Sequence, residues 1–116
     1  MANGPKYDGT DGGPIDLTTA KRWTANYRVK HPGETEAHYF GRDLILRILA
    51  EGDCSGIRIY YAIDDKGNKQ LLLVGTNSKG NNLLPQAGTA AGGEGGDNQI
   101  GDVSFPCPPY CPDNKL

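Results

Sequence analysis

Three cysteines and two histidines are the residues of this chain best suited to redox, nucleophilic or metal chemistry. Cys107 and Cys111 are separated by three residues, while Cys54 and His38 lie far upstream. Together they make up a Cys3His set of the kind that binds zinc. The C-x3-C spacing is unusual for zinc, however, and the two intervening prolines restrict how the thiolates can converge. Three interpretations therefore stay open: a metal site, a reversible Cys107–Cys111 disulfide, and unreactive thiols.

Catalysis would need more than these side chains. A Cys54–His38 nucleophilic pair requires a third group that orients the imidazole, and donors that bind an oxyanion. The sequence signals neither, and it contains no nucleophile elbow, metalloprotease helix or phosphate-binding loop. We therefore predict a protein that is not an enzyme, with no catalytic, cofactor-binding or metal-binding residue.

The charge balance argues against two classes of partner. Lys and Arg number 12 against 14 Asp and Glu, which gives a net charge of −2. A general basic field that would attract nucleic acid or an anionic membrane is therefore missing. No apolar run approaches the roughly 20 residues of a membrane span, and the first residues lack the apolar segment of a signal peptide. The sequence predicts a cytoplasmic protein, or one exported without a cleavable signal.

A central helix is the first element expected to position these residues. Apolar side chains recur every three or four positions between Ala37 and Leu49, which predicts a helix over about 34–51. Gly52 follows where a left-handed cap would end it. The charged residues off the apolar stripe, including Glu51, are expected to face water.

A β-hairpin follows the helix in the prediction. Apolar and polar residues alternate over 57–63, which is typical of a strand. Residues 64–69 form the turn, because Gly67 can adopt the positive φ that such turns require. The second strand covers 70–75, where the run Leu71–Val74 is apolar without alternation and so predicts that both of its faces are covered.

An earlier helix is predicted to begin at Asp16 or Thr18, since both residue types cap helices well. Trp23 and Tyr27 lie on one face of it, with basic residues around them. A basic helix with aromatic residues can contact nucleic acid. We favour a packing helix whose Trp23 and Tyr27 are buried against the central helix and hairpin, because the chain as a whole is acidic.

These elements define an α+β fold in which two helices pack on a small antiparallel sheet, with extended Gly/Pro-rich arms at both ends. The expected divisions of the chain are an arm over 1–15, the α+β domain over 16–85, a Gly-rich linker over 86–98 and a Pro/Cys tail over 99–116. Leu83 to Pro85 is expected to add a short edge strand. The tail carries Ile100, Val103 and Phe105 at spacings suited to packing on the domain or on a neighbouring subunit.

Three segments together resemble a family of short bacterial proteins. They are residues 22–28 (RWTANYR), 56–61 (GIRIYY) and 106–111 (PCPPYC). The resemblance spans about residues 16–111 and implies one intact domain that ends in a cysteine-containing tail. The family brings no assigned activity, substrate or cofactor, so the resemblance implies no catalytic residue.

The function most consistent with these features is that of a non-enzymatic structural or interaction protein. Two helices can cover only one side of a small sheet, so an apolar strand such as Leu71–Val74 must meet the tail or another subunit. We therefore expect a homo-oligomer that assembles through its arms and sheet, without nucleic-acid or membrane partners. The alternative is a small thiol-redox or metal-binding module that uses Cys107, Cys111 and Cys54.

Overall fold

A computed structural model describes residues 4–86 and 98–116 of the chain. These residues form two units. The sheet unit comprises Met1–Asp11 and Phe40–Val103, and the tail unit comprises Gly12–Tyr39 and Ser104–Leu116. The Gly-rich linker predicted for 86–98 lies, apart from its two ends, outside the described residues.

The sheet unit contains an antiparallel sheet of three strands, β2 (Gly56–Ile63), β3 (Lys69–Thr76) and β4 (Ile100–Gly101), in the order β2-β3-β4. β2 and β3 pair without interruption, from Gly56 opposite Thr76 to Ile63 opposite Lys69. Asp64 stabilises the turn because its carboxylate accepts from the backbone N–H groups of Lys66 and Asn68. The hairpin agrees with the sequence prediction, including the positive φ of Gly67.

One helix, α2 (Arg42–Leu49), packs on this sheet. Ile48 is fully buried, and two glycines let the helix approach the strands closely. A Cβ atom on Gly75 would lie 3.3 Å from Ile48 Cγ2, and one on Gly101 would lie 3.0 Å from a Leu44 methyl group. We call the side of the sheet that carries Gly75, Leu73 and the odd-numbered residues of β2 the helix face.

The opposite side of the sheet, the arm face, carries Arg58 and Tyr60. The turn that follows β3 lies over it, since Arg58 donates to Gly80 O at 3.0 Å and Asn82 donates to the Tyr60 hydroxyl at 2.6 Å. Tyr7 packs its ring against Gly80 so closely that an added Cβ would lie 2.6 Å from it. Residues of the amino-terminal arm and this turn therefore cover part of the arm face.

The tail unit contains a longer helix, α1 (Leu17–Lys30), and a pair of short antiparallel strands, β1 (Ala37–Tyr39) and β5 (Phe105–Cys107). α1 begins as predicted after Asp16, whose carboxylate accepts from Thr19 N. That hydrogen bond holds the pKa of Asp16 below its ordinary value. Glu36 N donates to Cys107 O at 2.8 Å and extends the strand pairing by one bond.

The α+β class is confirmed, but the central helix differs from its prediction over 34–51. Residues 37–39 form strand β1, and α2 begins only after Gly41, whose backbone is extended. The apolar spacing does not reveal this because the partner strand lies at residues 105–107, far along the chain. Pairing with that strand satisfies the backbone of 37–39 and overrides helix propensity.

Three local predictions near the helix and hairpin are also wrong. The helix cap is Ala50 rather than Gly52, and the positive φ falls at Asp53. Glu51 is buried instead of facing water. Leu83 to Pro85 is not a strand, although Asn82 forms an isolated bridge with Thr76 and Leu83 N donates to Gly75 O.

Burial in β3 is graded along the strand. Leu73 and Val74 point to opposite faces and are both buried, as predicted, whereas Leu71 and Leu72 are half-buried. Neither helix of the described residues is long and apolar enough to cross a membrane.

Candidate functional site

The outer strand of the sheet unit carries the most exposed apolar surface of its sheet. β2 is an edge strand, with β3 on one side and, among the described residues, no strand on the other. Ile59, Tyr61 and Ile63 are 56%, 93% and 73% exposed. All three lie on the helix face, where α2 should have covered them. We call these three side chains and the free edge of β2 the edge site.

The length of α2 and its position over β3 and β4 explain why the edge site is exposed. Its 8 residues rise about 1.5 Å each, so the helix is roughly 12 Å long. β2 also has 8 residues, but each rises about 3.3 Å, so the strand is roughly twice as long. The helix contacts Gly75 of β3 and Gly101 of β4. Ile59 is level with these contacts but lies beside them on the edge strand, whereas Tyr61 and Ile63 lie further along, toward the hairpin turn.

The edge lacks the features that commonly prevent strand pairing. Proteins protect edge strands with lysine, proline, bulges or very short strands. β2 has neither lysine nor proline, and its register with β3 contains no bulge. Its one charged side chain is Arg58, which points to the arm face and is engaged by Asn82 Oδ1 at 2.6 Å. β2 is therefore open to a further strand.

The tail unit holds the sequence-predicted thiols. Cys107 and Cys111 form a disulfide, which is one of the three interpretations left open by the sequence. Cys107 is only 4% exposed, whereas Cys111 is exposed. The loop is held further by Tyr110 N, which donates to Pro106 O, and by the edge-to-face contact of Tyr110 with Phe105 at 5.2 Å. An incoming thiolate can therefore reach Cys111 more easily than Cys107.

A groove of about 410 Å³ lies beside the disulfide in the tail unit, and Trp23, Tyr27, Ala37 and Pro112 supply its apolar lining. Trp23 is 57% exposed, and Tyr27 is also exposed, so the predicted burial of both rings is wrong. Tyr27 stacks on His31 at 4.6 Å and donates to Thr35 O. Its contacts are thus with its own helix end and the following turn.

Charges at the rim of this groove neutralise one another. Glu36 accepts from Lys115 at 3.0 Å and lies 3.5 Å from Arg28. Arg28 also donates to Leu116 O at 3.1 Å. These contacts join α1 to the tail, and they pair the charged side chains of Arg28, Glu36 and Lys115 with one another.

Cys54 and His38 belong to different units. Cys54 is half-buried, and its thiol donates to Gly56 O at 3.3 Å. His38 Nδ1 lies 2.9 Å from Ser104 Oγ, a contact across 66 positions that spacing arguments cannot find. Burial lowers the pKa of His38, which favours the neutral imidazole. Within residues 4–86 and 98–116, no three His, Cys, Asp or Glu side chains are grouped to hold a metal ion.

Sequence reasoning also missed the environment of Glu51. The residue is 5% exposed, its Oε2 accepts from Gln99 N at 3.0 Å, and its Oε1 has no hydrogen-bond partner among the described residues. Burial raises the pKa of this carboxyl, although the bond from Gln99 partly opposes the shift. Glu51 therefore connects the end of α2 to the start of β4 and has no predicted chemical role.

No family model, curated protein or solved structure matches the chain. The resemblance carried by residues 22–28, 56–61 and 106–111 stays a prediction.

Proposed function

We propose that the chain is a non-enzymatic interaction protein that assembles with copies of itself through the edge site. The observation that supports this most directly is the exposure of Ile59, Tyr61 and Ile63 on an edge strand of 8 residues. An unpaired edge presents a row of backbone donors and acceptors, and apolar side chains beside it favour removal from water. Both features are satisfied together when another strand pairs there.

The sequence supports the same function from a different direction. It contains no recognisable catalytic motif, and its net charge of −2 does not favour nucleic acid or an anionic membrane. Burial of apolar surface near an uncharged edge needs neither a cofactor nor a strongly charged partner. We therefore propose a homo-oligomer without cofactor.

Native mass across a dilution series, by light scattering or sedimentation, tests this function. Tyr61→Lys is the informative variant, because Tyr61 is 93% exposed and an edge lysine opposes strand pairing. Val29→Lys is the matched control, since Val29 on α1 is 80% exposed but belongs to the tail unit and not to the sheet. We expect the parent and Val29→Lys to associate and Tyr61→Lys to be monomeric, with unchanged circular dichroism in all three. A parent that is monomeric from micromolar to millimolar concentration would refute the function.

The disulfide favours a second candidate function, that of a small thiol-redox module. An external thiolate that attacks the exposed Sγ of Cys111 would form a mixed disulfide there and release the Sγ of Cys107, which then takes up a proton. Equilibration with glutathione buffers, followed by alkylation and mass measurement, tests this candidate. A reduction potential between about −120 and −270 mV would support it, whereas a value below about −300 mV would indicate a structural bond.

The Cys107–Cys111 disulfide also indicates in which cellular compartment the protein functions. Disulfides persist in oxidising environments and are rare in the cytosol. The Cys107–Cys111 bond therefore supports export over the cytoplasm among the two predicted localisations. Alkylation of the protein directly in intact cells would distinguish them, since a cytosolic protein is expected to carry both thiols reduced.

A further inference from the structure

The backbone of β2 defines which residues face its open edge. Asp64 N donates to Asn68 O at 2.9 Å where the hairpin closes. Hydrogen-bonded and non-bonded pairs alternate in an antiparallel ladder, so the even-numbered residues of β2 direct their amide and carbonyl groups to β3. The carbonyl of Gly75, the partner of Ile57, fits this pattern, because it accepts from Leu83 N, which lies outside β2. The residues whose backbone groups point outward are Ile57, Ile59, Tyr61 and Ile63.

The same four residues carry their side chains on the helix face. A strand added at this edge would therefore meet the outward backbone groups and the exposed side chains of Ile59, Tyr61 and Ile63 in one contact. The two-residue period of a strand places alternate side chains on one face. The added strand must thus present apolar residues at the same period on the helix side.

β2 itself meets this requirement. We infer that β2 pairs with β2 of a second copy, antiparallel, about a two-fold axis that passes beside Tyr60. This inference rests on the proposed function and specifies its partner and register. Ile59 then lies opposite Tyr61 of the partner subunit, and Ile57 lies opposite Ile63 of the partner subunit.

Hydrogen bonding selects this register over its neighbours. With Tyr60 on the axis, all four outward-facing residues of each copy exchange backbone bonds with the other copy. A slip by one residue pair in either direction leaves one outward-facing residue of each copy unpaired. Each ladder hydrogen bond makes a small favourable net contribution, so the register that forms the most of them is preferred.

The side chains favour the same register. Ile59 against Tyr61 of the partner subunit is a β-branched–aromatic pair, a kind that stabilises antiparallel sheets. Arg58 lies opposite Ala62 of the partner subunit, so its charge does not face a like charge. A two-fold interface is isologous and closes after two copies. The pairing joins two sheets into one continuous sheet and ends the exposure of both edges.

Cysteine cross-linking tests the register in a Cys54→Ser background, which keeps the introduced thiol as the one reduced cysteine of each chain. Residues on the axis form a non-hydrogen-bonded pair with Cα atoms about 4.5 Å apart, within the range of a disulfide. Tyr60→Cys should therefore dimerise covalently under mild oxidation. Ala62→Cys is the matched control, because it lies opposite Arg58 of the partner subunit, and its own copies should stay apart.

A second measurement avoids the loss of the Tyr60–Asn82 hydrogen bond. Ile59→Cys and Tyr61→Cys chains are each expected to remain uncross-linked alone and to form a mixed disulfide dimer when combined. Non-reducing electrophoresis with mass spectrometry identifies the linked residues.

The outcomes separate this inference from the function on which it rests. Linkage of Tyr60→Cys, or of the Ile59→Cys and Tyr61→Cys mixture, supports the register. An associating parent whose Tyr61→Cys chain links to itself refutes the register and leaves self-assembly through β2 intact. An associating parent with no linkage in any β2 variant refutes the edge contact. A parent that stays monomeric refutes the function as well.

Discussion

The close packing of Gly75 beneath the end of α2 gives a sharp stability prediction. Gly75 lies under the end of the helix, and a Cβ atom there would lie 2.9 Å from Glu51 Oε1, 3.1 Å from Cys54 Sγ and 3.3 Å from Ile48 Cγ2. Overpacking of this kind typically costs about 1–3 kcal/mol. Replacing glycine in a strand interior recovers about 0.5–1 kcal/mol. We therefore expect Gly75→Ala to lower the free energy of unfolding by about 1.3 kcal/mol, the difference between the midpoints of these two ranges, whose extremes differ by roughly 0 to 2.5 kcal/mol.

Gly56→Ala is the matched control in the neighbouring strand. Its added Cβ would lie 3.6 Å from Thr76 Oγ1, an ordinary contact, so the backbone gain of about 0.5 kcal/mol should remain. Urea unfolding at one protein concentration, with equal denaturant slopes, measures both variants. If Gly75→Ala is as stable as Gly56→Ala, the packing of α2 on Gly75 is refuted.

Three further predictions concern buried charge, the exposed tryptophan and metal. Burial raises the pKa of Glu51 in the folded protein above its ordinary value of 4.5. The protonated carboxyl therefore contributes its full stabilisation below pH 4.5, and this contribution is lost as the pH rises through the folded-state pKa. Glu51→Gln should flatten this part of a pH–stability profile, and an unchanged slope would contradict the assignment. Trp23→Ala should cost less than the roughly 3–5 kcal/mol of a buried tryptophan, because Trp23 is 57% exposed; a larger loss by thermal unfolding would contradict this. Chelator treatment should leave the far-ultraviolet dichroism unchanged, and its collapse would show a structural metal.

The parts of the fold that sequence reasoning predicts well depend on neighbours in sequence. The β2–β3 hairpin needs only its own alternation and the turn around Gly67, and α1 needs only the cap at Asp16. The strand at Ala37–Tyr39 depends instead on Phe105–Cys107. A helical apolar period cannot reveal a distant partner of that kind, so the apolar pattern predicts too long a helix over 34–51.

The candidate site likewise combines features that neighbouring residues predict with features that depend on distant parts of the chain. Alternation places Ile57, Ile59, Tyr61 and Ile63 on one face from sequence alone, but it does not show whether that face is covered. The burial of Glu51 and the contact of His38 with Ser104 likewise arise from chain segments far apart in sequence. The sequence leaves the state of Cys107 and Cys111 open, because two cysteines four positions apart are compatible with a disulfide, a metal site or free thiols.

The helix is shorter than predicted and the edge site is exposed for the same physical reason. A helix over 34–51 would rise about 27 Å and match the length of β2. The actual helix spans Arg42–Leu49 because Ala37–Tyr39 is used in a strand. Tyr61 and Ile63 lie beyond the end of this helix, and Ile59 lies beside it on the edge strand, so all three apolar side chains are exposed. Shortening the helix thus leaves an apolar edge strand whose outward backbone groups have no strand partner among the described residues, and the proposed pairing with a second copy of that strand would supply both kinds of missing contact.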